Sequence, residues 1–300
     1  MCTVPGLTRC CRESYNEPAA LYERLKQRGM DLVTVTDHDS IEAVEELRRY
    51  PDFFLSEEVT CTMPSGTEMH AGVYGIEERD HTELQNRRRD IESLLAYCAE
   101  RRLFVTVNHL YSSLTGRRTD ADFDIFARDF HGVEIINGMM LPRANRLAAD
   151  FARRHGKAVI GGSDAHTLAA VARTYTEVPG ADSIQDFLAG MRRGKSIATG
   201  ESGHYLKLTA TVCGIGTSFL RSKPWTAPAA GIMALIPLIT LGNYFREVGF
   251  AWYWGQRHAS PNPVVVGPVI SLGAAISPGA VISPGAVISP GAVISKEYSG

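Results

Sequence analysis

Six polar side chains stand where apolar runs end: His38 in TDHD (36–39), Glu58 in SEEVT, His70 in the run ending VYGI, His109 in VNH, and Asp164 and His166 in GSDAH (162–166). Imidazole and carboxylate together are the ligand set of borderline divalent cations such as zinc, manganese and iron. Asp164 and His166 are separated by one residue, so in an extended segment both leave the same face and reach one metal pair. Asp37 and His38 are adjacent and diverge, so one is a ligand while the other orients it or holds the loop. Glu57 and Glu58 pose the same choice, because strict alternation turns only one of them toward the site. Glu134 and Asn137, in GVEIING, read either as partners that orient ligands or as strand-end caps. His81, His131, His155, His204 and His258 read as ordinary core or surface histidines.

Paired cations on such a set suit phosphoester hydrolysis. They neutralise the non-bridging oxygens, bring the pKa of a bound water into the neutral range and stabilise the leaving oxygen, so no nucleophilic side chain is needed. His109 is a candidate to pass a proton to the leaving group. Asp164 is an anionic ligand whose loss is expected to abolish activity. The chain has no G-x-x-x-x-G-K-[ST], no G-x-S-x-G and no G-x-G-x-x-G, which removes the commonest kinase, serine-hydrolase and dinucleotide readings.

The elements that position these residues alternate in type from Glu17 to about Val212. Pro18 suits the first position of a helix that Gly29 stops. DLVTVT (31–36) reads as a buried strand, Ser40 as a cap for IEAVEELRRY, FFLSEEVT and MHAGVYGI as strands, and 82–101 as one long helix. LFVTVNH (103–109), GVEIIN (132–137) and KAVIGGSD (157–164) are further strands with helical segments between them. Such alternation predicts a parallel sheet, open or closed into a barrel, with chemistry at the C-terminal strand ends.

The order TDHDSIEA, SEEVT, a histidine twelve residues after Glu58, VNH, GVEIING and GGSDAHT resembles the PHP family, the polymerase and histidinol phosphatase superfamily of metal-dependent phosphoesterases, over residues 13–214. The resemblance implies a distorted (β/α)7 barrel with two or three metal ions at its C-terminal mouth. It implies that His38 is the ligand of the TDH motif, Glu58 the bridging carboxylate, and His70, His109, Asp164 and His166 the remaining ligands. Arg173, in ARTYTE, is the residue it offers for gripping a phosphate.

The chain departs from the family at its start. The family opens with a strand ending in H-x-H, whereas no histidine precedes His38 here. On this reading the first strand is absent, the metal site is weakened and activity is impaired, through a late start, a shifted frame or a real loss. The expected function is hydrolysis of a small phosphomonoester or nucleotide-like substrate. The alternatives are a non-catalytic PHP-like binding or scaffold module and a metal-dependent amidohydrolase.

Composition sets the wider bounds. The 300 residues carry 31 basic and 33 acidic side chains, a formal charge of -2, which gives no electrostatic reason to bind a nucleic-acid polymer. The six cysteines are scattered without a C-x-x-C pair, and MCTVPGLTRCCRES lacks the apolar core of a secretory signal, so the expectation is a cytoplasmic chain with reduced thiols. Residues 215–262 read as an irregular apolar extension broken by prolines, within which 228–245 approaches the lower limit of a membrane span; packing over the first domain is preferred to weak membrane or partner contact. Residues 263–300 carry a six-residue repeat, AISPGA (275–280) and then VISPGA twice, read as a flexible tail in preference to a short β-helix. The oligomeric state is open.

Overall fold

Short β-branched runs and amphipathic segments sort into strands and helices largely where their periodicities place them. The computed structural model describes residues 16–258. In it β1 (Ser56–Thr62) and β2 (Glu68–Tyr74) form an antiparallel pair, and β3 (Phe104–Val107) joins β2 antiparallel. β4 (Gly132–Asn137) and β5 (Ala158–Gly162) follow in parallel, which gives the sheet order β1-β2-β3-β4-β5. β6 (Thr174–Glu177) and β7 (Ile197–Gly200) pair antiparallel as a separate two-stranded sheet. The helices are α1 (Pro18–Gln27), α2 (Val44–Leu47), α3 (Glu78–Arg87), α4 (Ile91–Glu100), α5 (Asp120–Asp129), α6 (Pro142–Arg154), α7 (Ile184–Arg192), α8 (Tyr205–Ser222) and α9 (Ile236–Arg257).

The two-residue period of the strands divides the sheet into two chemically distinct faces. Val59, Cys61, Met69, Ala71, Val73, Val105, Val107 and Val133 lie in the main apolar core with residues of α4, α5, α6 and α9. Their neighbours Glu58, His70, Thr106 and Glu134 leave the opposite face and are buried as well. Farther down that second face Phe104, Ala158 and Ile160 pack with Leu188 and Met191 of α7 in a smaller apolar cluster. Gly72 sits between these groups, and a Cβ there would come within 2.7 Å of both the Thr106 and Tyr74 hydroxyl oxygens.

Several expectations are corrected. The α/β class holds, but the sheet is mixed rather than parallel, because β1 and β2 form a hairpin in place of a helical crossover. No barrel closure is seen among the described residues. At one end the Thr176 hydroxyl replaces a backbone ladder between β5 and β6, donating to the Gly161 carbonyl at 3.0 Å and accepting from the Gly161 N–H at 2.9 Å. At the other, 31–36 is not a continuous strand: the chain from Val33 to His38 touches the β1 side through only two isolated parallel bridges, Val33 with Phe53 and His38 with Glu58. Closure needs an unbroken ladder, and both junctions lack one.

The helix expected over 82–101 is two helices. Asp90 caps the second, its carboxylate accepting the Glu92 and Ser93 N–H groups at 3.1 Å each. Within the extension, Pro224–Leu235 is a 3-10 segment with Pro228 inside it, and a regular helix follows. Pro237 falls in the first turn of α9, where a missing N–H costs nothing, so the helix runs unbroken for 22 residues. Residue 214, the expected domain edge, lies inside α8. No helix among the described residues is long and apolar enough to cross a membrane. Residues 1–15, on which the reading of a missing first strand rests, and the repeats from 263 onward lie outside the described residues.

α9 is tied to the main core. Ala251 and Trp254 are buried in it, the Trp254 ring lies 4.7 Å from that of Phe123, and the buried Glu247 carboxylate accepts the Ser113 N–H at 3.0 Å. Trp254→Ala should therefore lower unfolding free energy by about 3–5 kcal/mol, the range for an emptied aromatic core site. Chemical denaturation measures it, and a loss below about 1 kcal/mol would mean that α9 adds little to the fold.

Candidate metal centre

Two backbone hydrogen bonds fasten the TDHD segment to β1: the Asp39 N–H donates to the Glu58 carbonyl at 2.9 Å, and the Glu58 N–H donates to that of Asp37 at 3.2 Å. They set the His38 ring beside the Glu58 carboxylate, with Nε2 3.6 Å from Oε2. Asp39 serves as the clamp, since one of its oxygens accepts the Thr60 N–H at 2.8 Å and the other pairs with Arg88. The antiparallel register sets Glu58 opposite Gly72 and His70 opposite Thr60, so Glu58 and His70 are diagonal neighbours on one face. His70 Nδ1 lies 3.2 Å from Glu58 Oε1.

His109 enters from the end of β3, where the chain turns with φ of 30°. Its Nε2 stands 3.0 Å from Glu58 Oε1 and 3.1 Å from His70 Nδ1. The ligand atoms of His38, Glu58 and His70 lie within 4.8 Å of one another. Four of the six sequence candidates thus meet around one carboxylate. Asp164 and His166 follow β5 and line the same cleft as His38 and Glu58. The His166 Nδ1–H donates to the Asp164 carbonyl at 3.0 Å, which leaves the lone pair of the neutral ring on Nε2. Arg173 is not brought to the cluster: it is exposed, its Nε donates to the Ala169 carbonyl and its guanidinium faces Glu201 at 3.5 Å.

The choice between Glu57 and Glu58 is decided by the pleat. Glu57 leaves the other face of β1 and meets His81 Nδ1 and Gln85 Nε2, each at 2.6 Å. Burial raises its pKa despite those partners. His81, read from sequence as an ordinary histidine, is therefore the half-buried partner of a buried carboxylate behind the site.

Two residues frame the cluster. Asn108 Nδ2 donates to Glu58 Oε1 at 3.2 Å, while its Oδ1 accepts the Thr106 hydroxyl at 2.8 Å. Sequence reasoning passed over it, although its place before a strand-end histidine was the available signal. Glu134 Oε2 accepts the His109 N–H at 2.9 Å and Asn137 Nδ2 at 3.0 Å. A Cβ at position 162 would overlap Glu134 Oε1, so Gly162 is required for this carboxylate to reach His109. Burial raises the Glu134 pKa to about 7.

The remaining electrostatics follow from one buried carboxylate among several rings. Burial alone would raise Glu58, but the hydrogen bonds from His109 and His70 and the charge of His38 hold it well below the usual carboxylate range. Burial alone would lower His109, yet its hydrogen bond and charge pairing with Glu58 raise it to about 9. His70, for which burial prevails, is lowered. Asp164 is lowered because His166 and His109 outweigh the effect of its burial.

The donor set fits a divalent cation. It is a buried His-His-Glu group flanked by a further histidine, and His70 Nε2 is buried without a hydrogen-bond partner, which proteins rarely tolerate.

Comparison with known proteins gives one family match over part of the chain and likenesses of fold. Residues 142–196, from α6 through α7, match a family model described as PHP-associated. No curated protein sequence matches the chain. Among solved structures, PsfC from Pseudomonas syringae PB-5123 is similar in fold, with a TM-score of 0.52 and 16% identity over 70% of this chain and 93% of that one. An amidohydrolase from Chromobacterium violaceum gives a TM-score of 0.43 at 15% identity, covering 59% of this chain and 92% of that one. The lesion-specific endonuclease PfuEndoQ from Pyrococcus furiosus gives 0.47 at 14% identity, over 63% and 55%.

The raised His109 yields a signed pH dependence. A histidine whose folded pKa exceeds its unfolded value contributes stability that is complete below about 6.5 and disappears as pH rises through the folded value. Metal-free protein should therefore lose stability as pH passes about 9. NMR titration should place His109 near that value in the wild type and well below it in Glu58→Gln, where the largest of the groups that raise it is gone. An unchanged midpoint in the variant would contradict the assignment.

Proposed function

We propose that this chain is a metal-dependent hydrolase of small phosphomonoesters or nucleotide-like phosphates. The observation that carries the reading is the convergence of His38, Glu58 and His70 on one buried point, beside a cleft that Asp164 and His166 also line. On this reading His38, Glu58 and His70 hold one divalent cation, Asp164 and His166 complete the site or hold a second, and His109 is either a further ligand or the proton donor. A bound divalent cation supplies charge neutralisation at the phosphoryl oxygens and lowers the pKa of water.

The chain's own residues do the rest. Glu58 and Asp164 bring the negative charge that makes cation binding favourable, and both are ionised at neutral pH because histidines surround them. His166 presents Nε2 because its Nδ1 is engaged by the Asp164 carbonyl. His109, fixed through its backbone by Glu134 and through its ring by Glu58, is the residue placed to give a proton to a leaving oxygen. Glu134 and Asn108 are positioning residues, since they reach the cluster through His109 and Glu58. Arg173 remains a proposed phosphate contact only if its pairing with Glu201 opens.

Hydrolysis of an aryl phosphate by the purified full chain, with zinc, manganese or iron added, tests the proposal. Turnover should be chelator-sensitive, and Asp164→Ala should lower it by more than the about 10–100-fold typical of partners of ligands. Turnover indifferent to chelation and to Asp164→Ala would overturn the reading. A parallel screen with amide substrates separates the two hydrolase chemistries: cleavage of amides alone would assign the site to carbon–nitrogen bonds. Bound metal with neither activity would assign a binding module.

A further inference from the structure

α9 is apolar on two sides. One side, with Ala251 and Trp254, is buried in the main core. The other carries Leu238, Leu241, Phe245, Val248 and Trp252, between 36% and 66% exposed. These five are spaced three, four, three and four residues apart. That repeat keeps one seam of a helix turned toward a partner helix. At 3.6 residues per turn they fall within roughly 80° of the helix circumference. Ile239 and Tyr253, also exposed, widen the apolar side beyond this seam.

Charge and backbone agree. No charged residue belongs to the seam. Arg246, the nearest cation, lies to one side with its Nε donating to the Ser113 hydroxyl at 3.1 Å, and Glu247 is buried on the opposite side. Gly242 and Gly249 flank the seam one heptad apart, with nothing within 4 Å of where their Cβ atoms would stand. A second helix can therefore approach the backbone closely there.

We propose that a second copy of this chain covers the seam, α9 packing antiparallel against its counterpart about a two-fold axis at Phe245. The centre and ends of the pattern are symmetric about that residue, and its two inner side chains meet glycines. Seven residues separate Phe245 from Leu238 on one side and from Trp252 on the other, while Leu241 and Val248 lie four and three away. The antiparallel register then faces Leu238 with Trp252 of the partner subunit, Leu241 with Gly249 of the partner subunit, Val248 with Gly242 of the partner subunit, and Phe245 with itself. An isologous contact of this kind closes as a dimer and opposes the two helix dipoles. The exposed parts of the five side chains offer on the order of 500 Å² per copy, which brings the pair to the approximate lower size of a specific interface.

Sedimentation velocity on the full chain tests this. The wild type should sediment as a dimer at micromolar concentration. Phe245→Glu should weaken the dimer at least about 100-fold, as removal of a central aromatic anchor does, with an unchanged circular dichroism spectrum because Phe245 is 63% exposed. Under oxidising conditions Phe245→Cys should give a disulfide-linked dimer beyond the background of the parent, whereas Leu238→Cys should not. A monomeric wild type overturns the proposal, as does a dimer indifferent to Phe245→Glu. Equal crosslinking by Leu238→Cys overturns the antiparallel register. A monomer that instead cosediments with phosphatidylcholine–phosphatidylglycerol vesicles through Phe245 would assign the seam to lipid.

Discussion

A carboxylate removed from water costs several kcal/mol unless opposite charge and hydrogen bonds replace its hydration. Glu58 is such a carboxylate, and the second face of the sheet is arranged around it. His38, His70 and His109 approach it from three separate parts of the chain, and Asn108 adds a fourth contact. Each approach has its own backbone cause: a pair of hydrogen bonds to the 37–39 segment, the β1–β2 register, and the turn after β3. In the metal-free chain the proton on His109 supplies the cationic charge that Glu58 requires.

The same alternation that turns Glu58 inward turns Glu57 outward to His81 and Gln85, so one strand supports two polar groups separated by the thickness of the sheet. The apolar core of α4, α5, α6 and α9 keeps water from the outer face and holds the strands in register. Backbone strain concentrates at the other end of the design. Three of the non-glycine residues with positive φ, Asp39, His109 and Asp164, lie in the loops that carry the candidate ligands. Such conformations persist only where surrounding contacts impose them, and they are commonest at functional sites. The Asp39 contacts to Thr60 and Arg88 and the Glu134 contact to the His109 backbone are constraints of this kind.

Much of this was legible in the sequence, for reasons that can be stated residue by residue. β3, β4 and β5 are short β-branched runs ended by polar residues, a pattern with few other readings. Glu58 was separable from Glu57 by alternation together with the resemblance. The misreadings have equally local causes. DLVTVT has a strand's composition but pairs at isolated bridges, because strand order depends on neighbours that propensity does not encode. Asp90 interrupts an apolar periodicity that continues on both sides of it, and only its capping geometry shows the break. Arg173 lies near the GSDAH loop in sequence, yet its side chain is turned to Glu201. Of the prolines in the extension, Pro224 and Pro228 lie in a 3-10 segment, whereas Pro237 begins a regular helix.

The most direct test of the Glu58-centred account is a count of tightly bound divalent metal per chain, by mass spectrometric elemental analysis and zinc titration. The wild type, Glu58→Gln and Glu57→Gln are compared, each shown folded by circular dichroism. The account predicts at least one bound ion in the wild type and in Glu57→Gln, and its loss in Glu58→Gln. Equal metal content in the two variants, or none in the wild type, would contradict it.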